Sequence, residues 1–139
     1  MAQKRILLGI TGGIAAYKSA ELTRLLVKAG HHVEVVMSEA ATRFVTPATF
    51  QALSGNAVYS DIWDPRPHNA MAHIEMSRRA DVFLIVPATA DCIFKLAHGA
   101  CDDLISTMAA ARTCPLVVVP AMNRQMWESP ATRRNMAQL

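Results

Sequence analysis

The stretch RILLGITGGI, residues 5–14, decides the fold of this chain. It is a short apolar run that ends in the glycine pair Gly12 and Gly13, which is typical of a buried strand turning into a helix. A second apolar run at 32–37 completes a strand–helix–strand unit with a right-handed crossover. The helical pattern between the two runs stops at Gly30 and is predicted to place on one face the residues Ile14, Leu22, Leu25, Leu26 and Ala29.

Two further apolar runs, at 82–86 and 116–119, lack strict polar alternation, as expected of parallel strands covered on both faces. A weaker run at 57–60 is a candidate for another strand, and residues 61–70 are predicted to form a loop. Helical patterns occupy residues 46–53, 72–79, 89–97, 103–112 and 130–139. We therefore predict one α/β domain over residues 1–139, with a three-layer, Rossmann-like, doubly wound parallel sheet.

Composition narrows the class of protein. With 52% hydrophobic and 18% charged residues the chain is not disordered, and its net charge of +3 comes from scattered basic residues that do not indicate nucleic acid. We expect no membrane span and no secretory signal, and hence a cytoplasmic protein. The cysteines Cys92, Cys101 and Cys114 lack metal-site spacing, so we expect no metal and buried free thiols.

Small, hydroxylated and amide residues follow all four predicted strands. The segments are TGGI (11–14), SEA (38–40), PATAD (87–91) and PAMN (120–123). Because ligands bind beyond the carboxyl ends of parallel strands, these segments predict a site at one edge of the sheet.

The glycine loop suits an anion held by backbone N–H groups, although a plain tight turn would explain a glycine pair equally well. Its spacing matches neither a dinucleotide fingerprint nor a Walker loop, and Ser38 stands where an NAD-binding site would have an acidic residue. These features favour a mononucleotide phosphate over NAD or ATP.

Two further side chains are candidates. His73 lies near a predicted helix start, which favours a neutral imidazole that accepts a proton, but a surface or packed histidine is the alternative. Asn123 either presents its amide to a carboxylate or caps a helix. Met122, taken alone, is more typical of a core.

Four segments together carry a resemblance to a known family. They are GITGGIAAYK (9–18), MAHIE (71–75), PATAD (87–91) and PAMNRQMW (120–127). Over essentially its whole length the chain resembles the homo-oligomeric flavin-containing cysteine decarboxylases, and it is most similar to the phosphopantothenoylcysteine decarboxylase half of the bacterial bifunctional coenzyme A biosynthesis protein. The resemblance implies a flavodoxin-like fold, FMN as cofactor, and a site between subunits of a homotrimer that can assemble into a homododecamer.

The resemblance also implies roles for residues. His73 matches the active-site histidine, and Asn123 matches the asparagine that holds the substrate carboxylate, beside Met122 and Ala121. The FMN phosphate is expected near Gly12, Gly13 and Ser38, and the flavin ring near Thr89 and Ala90. The implied cofactor-binding set is Gly12, Gly13, Ile14, Ala15, Ser38, Phe50, Pro87, Ala88, Thr89, Ala90 and Asp91.

The implied reaction converts 4′-phosphopantothenoylcysteine to 4′-phosphopantetheine. The flavin oxidises the carbon that bears sulfur, with His73 as base; the resulting thioaldehyde accepts the electrons left by CO2, and reduced flavin returns the hydride. Family members use a further cysteine on a substrate clamp, which none of the three cysteines here matches. We expect the clamp and the ligase domain to be missing, so that FMN binds but turnover stops at the ene-thiol. Alternatives are a peptidyl-cysteine decarboxylase, a flavin prenyltransferase or a non-catalytic FMN-binding regulatory module.

Overall fold

A computed structural model describes residues 2–66 and 72–139, of which residues 72 and 73 are described by their backbone alone. The elements are β1 (Arg5–Ile10), α1 (Lys18–Lys28), β2 (His32–Met37), α2 (Pro47–Ser54), α3 (Ala72–Arg79), β3 (Val82–Ala88), α4 (Ala90–His98), α5 (Leu104–Ala111), β4 (Leu116–Pro120), α6 (Arg124–Glu128) and α7 (Pro130–Gln138). Short 3-10 helices at Ile14–Tyr17 and Ala40–Arg43 follow β1 and β2.

The four strands form one parallel sheet in the order β2-β1-β3-β4. The chain moves outward from β1 to β2 and then returns to the other side of β1 to add β3. The direction of winding therefore reverses between β1 and β3, which is the switch point of a flavodoxin-like sheet. The predicted doubly wound α/β architecture is confirmed.

A separate hydrophobic core covers each face of the sheet, which confirms the three layers. Alternate residues of β1 serve the two cores: Leu8 packs on one side with Phe50 of α2, and Leu7 packs on the other with Ile93 of α4 and Met108 of α5. All of these side chains are at most 2% exposed. The strands thus present one common edge, at their carboxyl ends, from which the site is built.

The predicted apolar face of the first helix is wrong in part. Ile14, Leu25 and Ala29 are exposed, whereas Leu22 and Leu26 pack against the core. The helix approaches the sheet through small hydroxyl residues instead. Ser19 is buried and donates a hydrogen bond to the Val86 carbonyl, and the buried Thr23 donates to the Ser19 carbonyl at 2.7 Å. Because backbone acceptors satisfy these hydroxyls, their burial costs little free energy. Such buried polar positions are not detected by the periodicity of apolar residues alone.

Three further features differ from what the sequence predicted: the run at 57–60, a short helix near the end of the chain, and the burial of two cysteines. The 57–60 run forms a single bridge between Tyr59 and Val36 rather than a strand. Helix α6 was not predicted, because five residues are too short for a periodic pattern. Of the cysteines, Cys92 is buried as expected, but Cys101 is exposed and Cys114 only partly covered, since both lie in segments outside the helices and strands.

No helix in the described part of the chain is long and apolar enough to cross a membrane.

Candidate functional site

A cleft opens beyond the carboxyl ends of the strands, as two adjoining cavities of about 460 and 530 Å3. Both cavities are lined by Gly12, Thr89, Ala90 and Met126, so they form one continuous site. The combined space is in the range of small-molecule and cofactor sites. Segments that follow β1, β2, β3 and β4 all reach it, as the sequence predicted.

Thr11 ties the ends of β1 and β3 together at the switch point. Its hydroxyl donates to the Pro87 carbonyl at 2.6 Å and accepts from the Thr89 N–H at 3.0 Å. Its own N–H also donates to the Pro87 carbonyl, at 3.2 Å. With the residue only 4% exposed, this side chain fixes the TGGI turn against the PATAD segment.

The two glycines of the turn have different structural reasons. A Cβ on Gly12 would lie 2.5 Å from Ala40 Cβ and 2.9 Å from the Ala40 carbonyl carbon, so only glycine fits there. A Cβ on Gly13 would meet nothing closer than Thr89 Cγ2 at 3.7 Å and would project where the cleft is open. Gly12 thus serves packing, and Gly13 leaves room for a ligand.

Backbone donors gather beside Gly13. Ile14 and Ala15 begin the 3-10 helix that leads into α1, so their N–H groups have no acceptor within that helix. Both residues line the cleft, and Ile14 is 81% exposed. Ser38 lines the other cavity, where its Oγ accepts from the Ala41 N–H at 3.1 Å. This donor set suits an anionic group.

Asn123 also lines the cleft, together with Ala121 and Met122. Its Oδ1 accepts from the Met126 N–H at 2.9 Å and so caps α6. The helix-cap alternative and the ligand-binding alternative are therefore compatible, because the cap engages the amide oxygen and leaves the Nδ2 donors to other partners.

Three predicted site residues, Phe50, Pro87 and Ala88, line neither cavity. Phe50 is fully buried in the core beneath α2, and Ala88 is fully buried in the core on the opposite face. Pro87 contributes its carbonyl to Thr11 rather than a wall of the cleft. The backbone of His73 is the second residue of α3, and its side chain lies outside the described residues.

One wall of the cleft carries charge. Lys95 Nζ lies 3.0 Å from Asp103 Oδ2 and 3.5 Å from Asp91 Oδ2, and all three residues line the cavity of about 460 Å3 together with Glu39. The Asp103 hydrogen bond raises the pKa of Lys95 far above its ordinary value. Burial raises the pKa of the Cys92 thiol to about 12, with Asp103 and Asp91 adding to the effect, so this thiol is uncharged at neutral pH.

When the chain is compared with known proteins, it matches the family model described as Flavoprotein over residues 1–139. The chain belongs to the flavoprotein family.

Individual relatives of this flavoprotein agree. The coenzyme A biosynthesis bifunctional protein CoaBC of Vibrio cholerae is 50% identical over all 139 residues, which are 35% of that protein. The chain thus spans about a third of the length of the curated relatives it matches. Among solved structures, the FMN-dependent cysteine decarboxylase SpaF has a TM-score of 0.91 with 36% identity, covering 99% of this chain and 79% of that one. A PPC decarboxylase variant complexed with pantothenoylaminoethenethiol has a TM-score of 0.84 with 30% identity, covering 99% of this chain and 78% of that one. The resemblance inferred from the four motifs is confirmed.

The flavoprotein's site includes residues that the sequence did not single out. Lys95, Asp103, Ile105, Ser106 and Met126 all line it. A usable signal existed, since Asp103 is the first residue of the helix predicted over 103–112, but nothing in the spacing indicated that Lys95 reaches it. Within the described residues no group of histidine, cysteine and acidic side chains is arranged to hold a metal ion.

Proposed function

We propose that this chain binds FMN and decarboxylates 4′-phosphopantothenoylcysteine in coenzyme A biosynthesis. The observation that carries the proposal is the convergence of the TGGI, PATAD and PAMN segments on one cleft at the switch point of the sheet. The family membership and the names of its relatives support the same function.

The residues present fit FMN. The open space over Gly13 and the N–H groups of Ile14 and Ala15 suit the phosphate, with the Ser38 hydroxyl nearby. Neither Thr89 nor Ala90, which would lie against the flavin ring, introduces a charge. When bound, FMN would supply a two-electron acceptor that makes loss of CO2 from a cysteine-derived carboxylate feasible.

The chain's own residues then have separate tasks. Asn123 would donate Nδ2 hydrogen bonds to the substrate carboxylate while its Oδ1 remains held by α6, so the amide is oriented before substrate arrives. Ala121 and Met122 would line the substrate beside it. His73, in the first turn of α3, would accept a proton during oxidation of the carbon that bears sulfur. Assembly into a trimer or a dodecamer belongs to the same proposal.

The proposal is tested by titrating the chain with FMN and then measuring CO2 release from 4′-phosphopantothenoylcysteine. We expect His73→Asn to keep FMN and to lose about 10²- to 10⁴-fold in rate, the usual contribution of a general base. His98→Asn is the matched control, because His98 is an exposed residue whose ring contacts the Phe94 carbonyl and which lines neither cavity. Equal rates in the wild type and His73→Asn would exclude chemistry at this histidine.

Substrate choice needs its own comparison. A peptide that ends in cysteine, offered beside 4′-phosphopantothenoylcysteine, separates the proposed activity from a peptidyl-cysteine decarboxylase; faster release of CO2 from the peptide would favour the latter. Mass spectrometry of the same samples identifies whether an ene-thiol or 4′-phosphopantetheine is formed.

A further inference from the structure

Lys95 occupies a central position in the acidic wall of the cleft. Its ammonium lies 3.0 Å from Asp103, 3.4 Å from Asp102 and 3.5 Å from Asp91. Asp91 precedes it by one turn on α4, whereas Asp102 and Asp103 lead into α5. The lysine side chain is only 20% exposed, and this one cation contacts the half-buried Asp103 and the mostly exposed Asp91 and Asp102.

The charge balance of the cleft depends on this lysine. Asp91, Asp103 and Glu39 line the cavity of about 460 Å3, and Lys95 is the one cationic side chain among the described residues that lines either cavity. Without it, every charged side chain among the described residues that line the cleft would be a carboxylate, and these like charges would oppose the entry of a dianionic phosphate.

Lys95 cannot also serve as a proton acceptor. The hydrogen bond to Asp103 raises its pKa so far that the ammonium stays charged across the neutral range. Asp103 is itself fixed, because its Oδ1 accepts from the Ser106 N–H at 2.8 Å and from the Ser106 hydroxyl at 2.6 Å. Lys95 therefore links α4 to Asp103, the N-cap residue of α5, and remains positively charged while it does so.

Resting on the proposed binding of FMN, we propose that Lys95 is a positioning residue that makes the cleft selective for a phosphorylated flavin. It holds the carboxylates of α4 and α5 together and offsets their charge, so that the cleft accepts a dianion. It acts through Asp91, Asp102 and Asp103 and through the field of the site, and no contact with the flavin is required.

The consequence is a difference between two ligands that share the same ring. FMN carries the phosphate and riboflavin does not. A change in charge at Lys95 should therefore affect the binding of FMN alone, whereas a structural collapse of the side of the cleft that holds Lys95 should weaken the binding of both flavins. Loss of this positive charge from the cleft is expected to weaken the binding of a dianion about tenfold, and less at high salt.

The experiment measures dissociation constants for FMN and for riboflavin by quenching of flavin fluorescence, at low and high salt. Lys95→Met keeps most of the length of the side chain and removes the charge; we expect about a tenfold loss of affinity for FMN and little change for riboflavin. Lys95→Arg keeps the charge and should bind FMN nearly as the wild type does. Adding Asp102→Asn to Lys95→Met removes a carboxylate that lines neither cavity, and should recover about threefold of the FMN loss.

Several results would overturn the proposal. It fails if Lys95→Met weakens both ligands equally, which would mean a purely structural role, or if it weakens neither. Should Lys95→Met not fold, Asp102→Asn alone decides: it should tighten FMN but not riboflavin, and an unchanged ratio refutes the idea. Wild-type chain that binds no FMN would instead refute the proposed function itself, and so the two failures are distinguishable.

Discussion

The two adjacent glycines of the turn, Gly12 and Gly13, predict opposite consequences for the same substitution. Gly12→Ala places a methyl group against the Ala40 backbone and should destabilise the fold by about 1–3 kcal/mol, the usual cost of overpacking. Gly13 has an extended φ of −148° that any residue adopts, so Gly13→Ala should change the free energy of unfolding by under about 0.5 kcal/mol. The methyl group added by Gly13→Ala would occupy the cleft and weaken the binding of FMN. Urea unfolding and FMN titration of both variants test the pair; a destabilised Gly13→Ala, or an unaffected Gly12→Ala, contradicts it.

This pair also shows what residue-level sequence reasoning can reach. The sequence singled out both glycines for one reason, the approach of backbone to an anion. It could not separate them, because the atom that excludes a side chain from Gly12 belongs to Ala40, which reaches the turn only after β2 has been laid beside β1. The placement of Phe50 in the core has the same origin, in a contact between distant parts of the chain.

At the scale of elements, the capping box of α5 gives a prediction about pH. Asp103→Ala removes the cap and should cost about 1–2 kcal/mol, whereas Asp103→Asn keeps a good capping group and loses only the charge. Burial raises the pKa of Asp103, but hydrogen bonds from Ser106 and Lys95 outweigh it and hold the pKa below its ordinary value. Stability from the carboxylate is therefore present above about pH 4 and lost as the pH falls below it. Unfolding by urea at pH 7, 5 and 3 should show that the advantage of wild type over Asp103→Asn is constant between pH 7 and 5 and shrinks at pH 3. An advantage that is undiminished at pH 3 contradicts the assignment.

Capping also explains which elements could be predicted. The helix patterns that began at residues 46, 89 and 103 start one residue later in the structure, because Thr46, Thr89 and Asp103 are the caps rather than the first helical residues. Helix α6 was missed although Asn123 caps it in the same way, since five residues give no periodicity to detect. Caps locate the ends of helices well only where an apolar pattern has already indicated a helix.

For the molecule as a whole, the sequence predicted the sheet and the edge that carries the site, because both follow from short-range signals: buried apolar runs and what comes after them. It did not predict the charged wall, which exists only because α4 and α5 pack side by side and bring Lys95 to Asp103. Charge pairs between elements leave no periodic trace. The segments that form the site could thus be predicted from the sequence, whereas the arrangement of charges in the site could not.

The whole-molecule prediction uses cysteines as reporters of opening. Cys92 is buried at the cleft with a pKa raised to about 12 by burial and by nearby Asp103 and Asp91, so alkylation requires the structure to open. Cys101 is exposed and should react at once. Because a ligand that binds only the closed form lowers the open population by the factor 1 + [L]/Kd, FMN at 100 times its Kd should slow alkylation of Cys92 about 100-fold and leave Cys101 unchanged. Mass spectrometry after iodoacetamide, with Cys101→Ser identifying the fast site, measures both rates. If Cys92 reacts as fast as Cys101, the burial of Cys92 in the structure is wrong. If Cys92 reacts slowly and FMN does not change its rate, the flavin does not bind in this cleft, since a ligand there would hold closed the part of the structure that covers this thiol.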